Sequence, residues 1–172
     1  MDNKKTKRLI LLLLLIALFT IALAIWALFF RDNVEVIIPD RVPSIEDNAE
    51  KIPDDDSQKT NTPAGGGSVS PTFKNEVIVD LKNNKADLYF ANPNKSTHDT
   101  VLQIVIGDTV IAQSGAIVSG NQISELSLAD NANKMLVKGE YNGRFVLHFY
   151  DKTTGIIDTT ANLEIEVIIK VI

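Results

Sequence analysis

Cysteine is absent from all 172 residues. No disulfide can brace the fold, no thiolate can act as nucleophile or metal ligand, and no thiol can carry a lipid anchor. Histidine is nearly absent too. His98 and His148 stand alone, and no His-x-His or His-x-x-x-His pair offers a metal site, so both read as surface or edge polar residues. No Gly-x-Ser-x-Gly elbow occurs. Ser114-Gly115 and Ser119-Gly120 fall where turns are expected. Basic clusters are missing after residue 8, which makes nucleic acid a poor partner. Helical periodicity is missing from the C-terminal two-thirds. These absences leave no catalytic residues, no metal and no cofactor to expect, and a non-enzymatic protein is the resulting reading.

One long apolar run is present. Leu9 to Phe30 contains no charged side chain. A helix rising ~1.5 Å per residue needs about 20 such residues to cross a ~30 Å hydrocarbon core, and a helix satisfies its own backbone groups there. Lys4, Lys5, Lys7 and Arg8 precede the run, and no basic cluster follows it. Positive charge stays cytoplasmic, so residues 1–8 form an inner stub and the rest is exported. Trp26, the only tryptophan, sits with Phe29 and Phe30 near the outer end. Ala22-Leu23-Ala24 has the small-x-small spacing of a signal-peptidase site. Cleavage after Ala24 would strand six apolar residues, Ile25 to Phe30, on the mature N-terminus, so the run reads as an uncleaved anchor in contact with the lipid bilayer through 9–30. Its alanines give no Gly-x-x-x-Gly dimerisation face.

Residues 31–71 hold five of the six prolines, nine acids against four bases, and the stretch Ala64-Gly65-Gly66-Gly67-Ser68. Little apolar surface is available to offset ordering, so this segment is expected to be a disordered acidic linker. Asp54-Asp55-Asp56 lacks the alternating ligands and bidentate acid of a calcium loop and reads as a solvated charge run. A flexible linker of this length averages about 35 Å end to end, which keeps the domain near the membrane.

Residues 72–172 carry strand signals throughout. Expected strands are Glu76 to Leu81, Ala86 to Ala91, Thr100 to Ile106, Thr109 to Gln113, Ile123 to Leu128, Lys134 to Val137, Tyr141 to Tyr150 and Leu163 to Val171. Gly107-Asp108 forms a two-residue hairpin turn. In the last strand Leu163, Ile165, Val167, Ile169 and Val171 point inward, and Glu164, Glu166 and Lys170 outward. Short strands at this spacing predict a β-sandwich. Gly139-x-Tyr141, entering a long strand, resembles the tyrosine corner of immunoglobulin-like sandwiches, where the phenol bonds upstream backbone. Asp151-Lys152-Thr153-Thr154-Gly155 reads as a turn.

Asn92-Pro93-Asn94, Ser114-Gly115-x-Ile117-x-x-Gly120, Ile123-x-x-Leu126-x-Leu128, Gly139-x-Tyr141 and Asn162-Leu163-Glu164-x-x-Val167 occur in this order. Together they resemble a set of small uncharacterised membrane-anchored proteins of Gram-positive bacteria, some linked to mobile elements. The resemblance covers residues 75–172. It implies a short anchor, a polar linker, one C-terminal immunoglobulin-like β domain and a binding or assembly role, and it carries no catalytic residues over.

The functional expectation is a membrane-anchored extracytoplasmic module that binds another membrane or envelope protein, as in a conjugation or secretion assembly. The binding residues are unassigned at this point. The alternative is a cell-wall polymer or carbohydrate-binding module. It would need exposed aromatic rings, and alternation turns only Tyr89 and Tyr150 outward.

Overall fold

The computed structural model describes residues 12–20, 38–55, 70–130 and 132–172. Residues 12–20 are helical. The rest of the expected span, the basic stub and the Ala24 site lie outside the described residues. Among the described residues no helix is long and apolar enough to cross a membrane. The chain divides into two compact units, Met1–Val34 and Glu35–Ile172.

The second unit is all β. Its strands are β1 Glu50–Lys51, β2 Thr72–Phe73, β3 Glu76–Asp80, β4 Lys85–Asn92, β5 His98–Ile106, β6 Thr109–Gln113, β7 Asn121–Ser127, β8 Gly139–Asp151 and β9 Ile157–Val171. They form one sheet in the order β1-β7-β4-β3-β9-β8-β5-β6, with β2 on β4. Every pairing is antiparallel except β3 with β9. The sheet curls so that its ends meet. Ala112 bridges Leu128, and Ala129 N–H donates to Ile111 O at 2.8 Å.

Alternation builds the core. Val77 and Val79, Leu102 and Ile104, Phe145 and Leu147, and Val167, Ile169 and Val171 turn to the inside of the curl and are buried. The Ile123-x-x-Leu126 spacing departs from period two, and a register shift against β4 between Asp87 and Phe90 absorbs it. Gly143 lies where β8 passes close to its neighbours: a Cβ there would sit 2.2 Å from Ile169 Cδ1 and 2.9 Å from Val105 O. The Gly107-Asp108 turn and β6 fall where the sequence places them.

Tyr141 closes the turn before β8. Its hydroxyl donates to Val137 O at 2.9 Å and accepts from Val137 N–H at 3.3 Å. That is the expected corner geometry. Lys134 to Val137 is not a strand. One helical turn, Ala132–Met135, occupies this place, and Leu136 N–H donates to Ala132 O at 3.0 Å. Ala132 and Leu136, one turn apart, both pack into the core, which favours the helical spacing.

The folded unit begins well before residue 72. Residues 38–55 wrap three strand ends instead of forming part of a disordered linker. Val42 N–H donates to Gly155 O at 2.8 Å, and Ile157 N–H to Asp40 O at 3.0 Å. Ser44 O and Glu46 N–H both bond Ala116, and β1 pairs with β7. Pro39 O accepts the Tyr150 hydroxyl at 2.9 Å. Main-chain bonds hold this strap, with Ala49 as its apolar contact to the core. Composition cannot reveal such an attachment. Residues 56–69 lie outside the described residues and connect the strap to β2.

The strap approaches Gly115 closely. A Cβ at that position would lie 2.7 Å from Ser44 O and 3.0 Å from Glu46 N. Gly115→Val is therefore expected to lift the strap, to cost about 1–3 kcal/mol, and to open residues 38–55 to limited proteolysis while β8 and β9 stay resistant. Unchanged cleavage would show that the strap does not depend on this contact.

Candidate functional site

The longest strand in the sheet is only partly paired. On one side β9 follows β8 from Gly139↔Val171 to His148↔Asn162. On the other side β3 covers only Ile168 to Val171. Among the described residues no strand lies beside Asn162–Val167 on that flank. β2 could have continued there, but it pairs with β4 through Thr72↔Ala91 and Phe73↔Phe90. Upstream, β9 bulges between Ile157 and Asn162. Asp158 Oδ1 accepts from Thr160 N–H at 2.9 Å and from its hydroxyl at 2.6 Å, and the β8 register shifts there.

Parity fixes which groups face the gap. Ile168 N–H donates to Asn75 O at 2.8 Å, so its backbone groups point away from β8. Alternation turns the N–H and C=O of Asn162, Glu164 and Glu166 the same way, into the open flank. Those of Leu163, Ile165 and Val167 turn toward β8.

The side chains grade in cover along the same stretch. Val167, Ile169 and Val171 are buried, Ile165 is half-buried, and Leu163 is 39% exposed although Leu147 across the ladder is fully buried. Phe73 supplies partial cover, with its ring edge-on to Phe145 at 6.4 Å. On the outer face, Arg144 Nε lies 3.2 Å from Glu164 Oε2. Lys170 pairs with Glu76, and that hydrogen bond and charge raise its pKa. Glu166 is exposed and makes no ion pair among the described residues. A groove of ≈ 560 Å³ runs here between Asn75, Arg144 and Glu166.

The histidines are not brought together. His98 is the first residue of β5 and is 7% exposed, not a surface residue. Its Nδ1 lies 2.9 Å from Thr97 Oγ1, its Nε2 3.8 Å from Asp158 Oδ2, and its ring stands edge-on to Phe149. These partners draw it inward. His148 is on the outer face of β8, half-buried, with Nε2 3.1 Å from Gln103 Oε1. Burial lowers its pKa.

Tyr150 is not exposed. It is fully buried, and its hydroxyl reaches the strap. The extra residues of the register shift lie in β9, and β8 stays paired with β5 residue for residue, so Tyr150 keeps the face of His148 and is buried there by the strap. Tyr89 remains half-buried, donating to Gln122 Oε1 at 3.2 Å. Ser114 is buried and bonds Leu102 N–H at 2.9 Å. Asp55, from the acid run, accepts Asn94 N–H at 2.8 Å and so braces the β4–β5 loop. The Asp151–Gly155 segment is a turn, with Asp151 Oδ1 accepting from Thr153 and Thr154 N–H. Among the described residues no group of three or more His, Asp or Glu could hold a metal ion.

Sequence reasoning missed the open flank. A signal existed in strand lengths: the first alternating run, Glu76 to Leu81, is shorter than the last, Leu163 to Val171, and cannot cover it.

No family model matches the chain, and no curated protein matches it. Among solved structures it is similar to the crystal structure of AggA, the major subunit of aggregative adherence fimbriae type I (AAF/I) from Escherichia coli. The identity is 11%, over 67% of this chain and 99% of that one, with a TM-score of 0.26. That score is too low to decide fold or function.

Protonation should weaken the fold in two stages. His148 has a depressed pKa in the fold, so its contribution is complete above its ordinary value of 6.5 and is lost as pH falls through the lower folded value. Asp158, held down first by the Thr160 hydroxyl, and Asp151, held down first by Thr154 N–H, act the same way below 3.8. The thermal midpoint should drop once below pH 6.5 and again below 3.8. His148→Gln should remove the first drop only, and an unchanged profile in that variant would assign it elsewhere.

Proposed function

We propose that this chain is a membrane-anchored, extracytoplasmic, non-enzymatic module that binds another protein by accepting an extended segment beside β9. The observation that carries this reading is the unpaired flank Asn162–Val167, with its outward backbone groups and the half-covered Leu163 and Ile165. An open strand edge is a ready template for strand addition, in which main-chain bonds supply affinity and pockets for alternate side chains supply selectivity.

The apolar run 9–30 and its basic N-terminal flank support an N-in, single-pass anchor. An exported site facing envelope proteins suits an accessory subunit of a conjugation or secretion assembly. The strand order supports an immunoglobulin-like sandwich within the all-β unit: β7-β4-β3 and β9-β8-β5-β6 form two halves that join where β3 meets β9, and Tyr141 sits at the start of β8. The wall-polymer alternative loses one of its two aromatic candidates, because Tyr150 is buried.

Proline blocks an edge without breaking the ladder behind it when its missing N–H would have pointed outward. Glu164 is such a position. In-cell crosslinking through a C-terminal tag is expected to capture one stoichiometric envelope partner with the wild-type chain and with Glu164→Gln. The Glu164→Pro variant, with an unfolding midpoint close to that of Glu164→Gln, should lose it. Capture that survives the proline, or recovery only with wall fragments, would contradict strand addition at β9.

A further inference from the structure

We infer that the segment accepted by β9 comes from a different protein and alternates apolar with basic side chains. This rests on the proposed strand addition and specifies its ligand. An incoming strand shares the pleat of β9, so its alternate residues face opposite sides. Those beside Leu163 and Ile165 enter the half-covered seam next to Phe73, where apolar side chains complete the burial. Those beside Glu164 and Glu166 lie on the outer face. There Arg144 already engages Glu164, and Glu166 has no ionic partner among the described residues. A Lys or Arg beside Glu166 supplies the missing charge.

The chain itself carries a template for this pattern. β3 runs parallel to β9 with Glu76 beside Ile168. Extending that register backwards would put Lys74 beside Glu166 and Phe73 beside Ile165, a basic residue outside and an apolar one inside. The structure instead sends Phe73 to Phe90 on β4. The flank therefore asks for the alternation that β2 does not deliver to it.

A second copy of this chain fits poorly. Symmetric pairing of two β9 edges must be antiparallel. The registers centred on the open stretch, at Glu164 or Ile165, set Glu164 against Glu164 or Glu164 against Glu166, and like charges directly opposite repel. The length is bounded as well. The Asp158–Thr160 bulge closes one end and Asn75–Glu76 the other, leaving room for a segment of about 20 Å at ~3.3 Å per residue.

The test uses the full-length chain in detergent and the fluorescein-labelled peptide Val-Lys-Val-Lys-Val-Thr, with Val-Glu-Val-Glu-Val-Thr as its counterpart, read by anisotropy. The basic peptide should bind at least about tenfold tighter than the acidic one. Glu166→Gln should weaken it about two- to fivefold with an unchanged unfolding midpoint, and sedimentation should show a monomer without peptide. Equal binding of both peptides that Glu164→Pro abolishes would overturn the charge pattern and leave strand addition standing. Absence of binding by either peptide, or binding indifferent to Glu164→Pro, would overturn the ligand assignment, and partner capture by that same proline variant in cells would then remove strand addition itself. A dimer that the proline variant disperses would show that the flank is used by a second copy, against the inference.

Discussion

The parallel pairing of β3 with β9 is the constraint on which the rest of the domain depends. It is the only parallel pairing between strands among the described residues, it runs from Glu76↔Ile168 to Val79↔Val171, and it joins the β7-β4-β3 half to the β9-β8-β5-β6 half. Val77, Val79, Ile169 and Val171 are buried at this junction. Because β3 starts only at Glu76, Asn162–Val167 on β9 have no strand beside them on that side among the described residues. The open flank is a direct consequence of where the junction begins.

A second set of contacts closes the end of the domain where the β4–β5 and β8–β9 loops meet. The strap 38–55, the buried His98, Tyr150 and the bracing carboxylate of Asp55 belong to it. Buried polar groups there are matched largely to backbone: Asn92 Nδ2 donates to His98 O and Ile117 O. Such matching holds irregular chain in place at little apolar cost.

The strands were largely legible because burial on one face writes a period of two into the sequence. β6, the Gly107-Asp108 turn, the inward set Val167, Ile169 and Val171, and the Tyr141 corner all follow from local chemistry. The strap was not legible, since main-chain hydrogen bonds leave no mark in composition and its prolines and acids imitate a linker. Tyr150 escaped with the strap: it keeps the face that alternation gives it, and the illegible strap is what buries it there. His98 escaped because a buried imidazole needs partners such as Asp158 and Phe149 that only the fold brings to it. The flank is a property of pairing between distant strands. Leu163 looks inward in the sequence and is inward in the fold, yet it is under-covered because β2 went to β4.

Residue-resolved amide hydrogen exchange on the free protein tests the central claim most directly. If Asn162–Val167 is paired on one side only, Leu163, Ile165 and Val167, whose N–H groups face β8, exchange slowly, while Asn162, Glu164 and Glu166 between them exchange fast. Uniformly slow exchange across these residues would mean that the flank is already covered, and would contradict the account.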